Sequence, residues 1–60
     1  MNINDLSEKE QIELMSMDGF QLMYIKNPSE AVQLSAVQQN EYVIGYIRRP
    51  SKAIQLVAVQ

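Results

Sequence analysis

Apolar positions fall along this chain in short blocks whose spacing differs from one block to the next. Ala31, Val32, Leu34, Ala36 and Val37 are spread nearly all round a helix of 3.6 residues per turn. Ile12, Leu14 and Met15 form a more one-sided set, opposed by Glu8, Glu10 and Glu13. The pattern predicts two helices of about ten residues each. The second is flanked by neighbours on several sides, as in the middle of a stack. The first turns an outer face to water, as a capping unit does. Tyr42–Ile47 and Ile54–Val59 are rich in β-branched and aromatic residues, and Val32–Ala36 alternates. An α+β arrangement of helix-strand units therefore competes with the helical one.

The blocks themselves recur. Residues 24–38 (YIKNPSEAVQLSAVQ) and 46–60 (YIRRPSKAIQLVAVQ) are identical at ten of fifteen positions, at an offset of 22. Residues 7–28 align with 29–50 at the same offset, with six identities and six close pairs, Ile12/Leu34, Met15/Val37 and Phe20/Tyr42 among them. The chain thus divides into an N-terminal arm, 1–6, and one repeat domain, 7–60, made of units 7–28 and 29–50 and a half-unit 51–60. A period of this length marks a stacked architecture, in which each unit buries its apolar face on the next.

Capping chemistry decides between the two fold classes. Pro28-Ser29 and Pro50-Ser51 read as helix starts, because proline cannot continue a preceding helix and serine accepts from the free amides of a new one. Ser7 and Glu10 have the spacing of a capping box. Asp18-Gly19 and Asn40 stand where a left-handed C-cap residue belongs. A second short helix then follows in each unit, at 20–26 and 42–48, with Lys26, Arg48 and Arg49 at its C-terminal end, where a cation suits the helix dipole. These signals repeat with the unit and predict an all-α fold, a small stack of short helices.

The pattern P-S-E-x-V-Q-L-x-A-V-x-x-N-x-x-x-I-x-Y-I-x-x-P, here Pro28 to Pro50, resembles the short tandem helical repeats of bacterial and phage proteins that form a domain family of unassigned function. The resemblance covers residues 7–60 and is strong from 24 onwards. It implies a helical fold and brings no catalytic residues. The chain departs from the family pattern at Glu41, where glycine commonly follows the asparagine, and in its diverged first copy. The resemblance, with the short length and the Met1 start, implies a complete small gene product of phage origin.

Composition narrows the chemistry further. The chain has no cysteine, hence no disulfide or thiolate metal site, and no histidine, the commonest general base and metal ligand. A domain of this size buries only about 60% of the surface its unfolded chain exposes, so oligomerisation or a partner is the expected support. Apolar runs are too short to span a membrane, and Met1–Glu10 lacks the basic start and apolar stretch of a signal peptide. A cytoplasmic location is expected, that of the bacterial host if the chain is phage-encoded. No phosphate-binding glycine loop or EF-hand spacing occurs, and the acidic residues lack any sign of a dry pocket. The chain reads as non-enzymatic, with no cofactor.

Charge and apolarity point to surfaces instead. Residues 1–20 carry Asp5, Glu8, Glu10, Glu13 and Asp18 against Lys9, whereas 21–60 carry Lys26, Arg48, Arg49 and Lys52 against Glu30 and Glu41. Glu8, Glu10, Glu13 and Asp18 make an acidic surface, an ordinary solvated helix face or, in the alternative, a nucleic-acid mimic. Basic residues are few, so nucleic-acid binding is not expected. Tyr24 and Tyr46 recur with the unit and are expected in the core, with base stacking as the alternative. Gln11, Gln33 and Gln55 form a solvated stripe or a polar binding ridge. The last segment is as apolar as the middle unit with no second helix after it. Ile54, Leu56, Val57 and Val59, with Arg48, Arg49 and Lys52, are therefore the candidate contact with a protein partner or with a second copy in a two-fold dimer, unless the segment folds back onto the second unit. The functional expectation is a protein-binding module, in the form of a small phage-encoded inhibitor of a host protein. A self-associating repeat protein and an acidic mimic are the alternatives.

Overall fold

Three serines 22 residues apart start three α-helices. In the computed structural model, which describes residues 2–58, these are α1 (Glu8–Met17), α2 (Glu30–Gln39) and α3 (Lys52–Ala58). Ser7 Oγ accepts from the Glu10 amide, Ser29 Oγ from Val32 and Ser51 Oγ from Ile54, each at 3.2 Å. At α1 the Glu10 carboxylate accepts from the Ser7 amide in return, completing the capping box. The glutamine column, half-buried at Gln11 and Gln33 and exposed at Gln55, is engaged in local hydrogen bonds. Gln33 and Gln55 donate from Nε2 to the carbonyls of Pro28 and Pro50, and Gln11 to that of Ile3. Each glutamine ties its helix to the chain entering it.

The second half of each unit is a 3-10 helix rather than an α-helix: η2 (Gly19–Tyr24) and η3 (Glu41–Tyr46), preceded in the arm by η1 (Ile3–Asp5). Asp18 and Asn40 are not left-handed C-caps. Both are extended, at φ −155° and −151°, and each side chain accepts from the amide two residues on, Phe20 or Tyr42. Asn2 does the same for η1 through the Asn4 amide. An Asx side chain mimics a backbone turn in this way, and here it opens the next helix at once. With three residues per turn, positions three apart share an edge. In η2 that edge is Gly19, Leu22 and Ile25, and all three are buried. Each 3-10 helix ends before its basic residues, so Lys26, Arg48 and Arg49 lie in the bends that follow rather than in a helical last turn.

Helix α2 is the centre of the stack, packed against α1, α3, η2 and η3. This is why apolar residues surround it. It supplies Val32, Ala36 and Val37 to a core completed by Met15, Leu22, Ile25, Val43 and Ile54. Ser35 Oγ donates to the Ile12 carbonyl and joins α2 to α1. Gly19 meets the end of α2 closely. A Cβ there would lie 2.5 Å from the Ala36 carbonyl oxygen, and the Gly19 amide donates to Gln39 Oε1 at 2.7 Å. The arm docks as well. Asn4 donates to the Tyr24 carbonyl and accepts from the Lys26 amide, pairing with the loop one period ahead of it. The described residues form no strand, and none of their helices is long and apolar enough to cross a membrane.

Candidate interaction surface

The core of this molecule is aliphatic apart from Met15, and the aromatic rings are on the outside. Tyr24 is 61% exposed, Tyr42 76% and Tyr46 58%, and Phe20 and Met23 are exposed too. This corrects the expectation that Tyr24 and Tyr46 lie in the core. For Tyr24 the cause is the pitch of the 3-10 helix, whereas Tyr46 is outside although it stands three residues after the buried Val43. Leu22 and Ile25 take the buried edge of η2, and Tyr24 falls two residues after Leu22, on another edge. The rings meet across units, with Phe20 and Tyr46 packed edge to face at 5.8 Å between centroids and 80° between planes.

Stacking the units brings their loops together. A groove of about 300 Å³ runs between the end of η2 and the end of η3. Leu22, Ile25 and Ile47 are its aliphatic lining. Met23 and Tyr46 stand in its walls, and Lys26, Arg48 and Arg49 complete the lining with Pro28 and Gln33. Arg48 and Arg49 thus share a site with Lys26, one period before Arg48, rather than forming a basic end with Lys52 alone. A concavity of about 520 Å³ lies where α2 meets η3, lined by Val37, residues 38–42 and Val57.

The apolar C-terminal surface is smaller than the sequence predicts. Ile54 is 1% exposed and takes in α3 the inward position of Val32 in α2. Val57 is half-buried and packs on the same core. The segment has folded back onto the second unit, and only Leu56, 55% exposed, and Lys52 remain outward among its described candidates. Val59 lies outside the described residues.

The acidic candidates Glu8, Glu10, Glu13 and Asp18 are all exposed on or beside α1. Two of them have local work. Glu10 closes the capping box, and Asp18 caps η2 and accepts from Gln21 Nε2. Among the described residues, no group of three or more potential ligands converges on a metal position. Sequence reasoning missed Met23 and Tyr42 as surface residues and left Lys26 out of the candidate contact. For Met23 the signal is the three-residue spacing of Gly19, Leu22 and Ile25, which fixes the buried edge of η2 and thereby the outward ones.

No protein-family model matches the chain, and comparison with curated proteins and with solved structures returned no match.

Proposed function

We propose that the chain is a non-enzymatic protein-binding module whose contact face is formed by η2, η3 and the loops after them. One observation carries this reading: a domain with little core material places its tyrosines, a phenylalanine and Met23 outside, with Met23 and Tyr46 in a groove, and keeps aliphatics within. Tyrosine, methionine and arginine are the side chains enriched at the energetic centres of protein interfaces. A small, stiff module of this kind acts by occupying a surface, which is how a phage-encoded inhibitor blocks a host protein. Self-association through α3 has less support, because Leu56 is the one large apolar side chain that α3 exposes among the described residues. An acidic mimic has less still, with Glu10 and Asp18 engaged in caps.

The test is selection of peptides from a random display library against the purified protein, with contacts mapped by NMR of the methionine methyls and tyrosine rings. The reading expects selected peptides to shift Met23, Tyr42 and Tyr46 while the amides of Glu8–Glu13 on α1 stay still. Peptides that map to α1, or a library that yields no binder, would sink it.

A further inference from the structure

Resting on that reading of the face, we propose that the groove between η2 and η3 takes an acidic linear segment of another protein, anchored by one large apolar or aromatic side chain with carboxylates on either side. The groove is at the small end of ligand clefts, suited to a single anchoring side chain rather than to a whole helix. Its lining mixes apolar side chains with polar ones and includes Met23, which adapts its shape, and Tyr46, which is stiff. Its charged lining is of one sign. Lys26, Arg48 and Arg49 line it, no carboxylate among the described residues does, and all three are exposed. Lys26 bonds within the described fold through its backbone amide, to Asn4, which leaves its ammonium free to turn outward. Arginine pairs with carboxylates two bonds at a time, so Arg48 and Arg49 fix the register of an acidic chain as well as attract it. An extended peptide advances about 3.3 Å per residue, which sets acids one to three residues from the anchor over such a rim.

The charge pattern also selects among partners. A single nucleic-acid strand needs a positive track along its backbone. Here three cations surround one groove, and the same chain carries a net charge of −2. A second copy carries exposed acids beside exposed apolar side chains, Glu41 next to Tyr42 and Asp18 next to Met17, so pairing of two copies is the competing outcome that the test below separates.

The experiment uses the purified protein and three fluorescent peptides with one central phenylalanine, flanked by glutamates, by serines or by lysines. Binding is read by anisotropy, with a thymidine oligonucleotide as a fourth probe. The glutamate peptide is expected to bind at least about tenfold more tightly than the serine peptide and to weaken as salt is raised. The double variant Arg48→Glu with Arg49→Glu is expected to lose roughly tenfold or more for the glutamate peptide and to gain the lysine peptide. That swap of preference cannot come from unfolding. Circular dichroism checks the fold, and Lys26→Glu supplies an independent reversal. The proposal falls if the serine or lysine peptide binds wild type as well as the glutamate one. It falls too if the oligonucleotide binds more tightly, or if the reversals leave affinity unchanged while abolishing a concentration-dependent dimer. In the serine-peptide case, shifts at Met23 and Tyr46 would leave the protein-binding reading standing without its charge preference. If no probe perturbs those residues, both fall.

Discussion

The stack has two junctions built from one repeat, and they are not equally made. Where α2 covers α1 and η2, Gly19 lets the backbone of η2 reach the Ala36 carbonyl, Gln39 caps the Gly19 amide, and Ser35 bonds the Ile12 carbonyl. Where α3 covers α2 and η3, one period on, Glu41 stands in the place of Gly19 and Val57 in that of Ser35. The first junction is close and hydrogen-bonded. The second rests on apolar contact, chiefly Ile54 and Val57 against the core. The difference teaches that a repeat sets where helices lie, while a few non-repeated residues set how tightly they are held.

The largest test of this contrast is at its paired positions. Gly19→Ala puts a methyl 2.5 Å from a backbone oxygen that no rotamer change can move, so a loss of about 3 kcal/mol is expected in urea denaturation followed by circular dichroism. Glu41→Gly, at an exposed position, is expected to change stability by less than about 1 kcal/mol. Equal effects would mean that the junctions are alike. A smaller loss, about 1–2 kcal/mol, is expected for Gln39→Ala, because the buried Gly19 amide then has no acceptor. Gln38→Ala, next door and exposed, is the control. The smallest effect has the opposite sign. Gly45 in η3 has nothing within 4 Å of an added Cβ and no positive φ, so Gly45→Ala should raise the melting temperature slightly, by about 0.4–1 kcal/mol in stability. A destabilised variant would show that η3 is more confined than its open surroundings imply.

Much of the fold was legible because its signals are local. A serine that caps the amide three residues on announces itself wherever it stands, and three of them fixed the starts of α1, α2 and α3. The apolar positions all round α2 correctly required neighbours on every side. The second half of each unit was harder. Gly19, Leu22 and Ile25 carry a period of three, which falls between the helical and strand periods against which the residues were weighed. The outward position of Tyr24 follows from that period, whereas Tyr46, three residues after the buried Val43, does not. Asp18 and Asn40 can close one helix or open another. The extended backbone that decides the matter is a property of the packed chain. The groove is a product of stacking, because nothing local joins Lys26 to Arg48 and Arg49 across 22 residues. Ile54 was read as surface because the half-unit has no following helix, yet it occupies the inward column already set by Val32.

The side chain at Glu41 bears on the order in which the molecule opens. In a one-dimensional array, stability is close to a sum of unit and junction contributions, and disruption starts at the weaker boundary. A Cβ at the glycine position excludes the depth at which α2 seats its own last turn. Fraying and amide exchange are therefore expected to begin in α3 and move inward, with α1 and η2 the last to lose protection, an order that hydrogen exchange read by NMR checks. The groove draws Tyr46, Ile47, Arg48 and Arg49 from η3 and the loop leading into α3, so opening of α3 is expected to loosen that side of it.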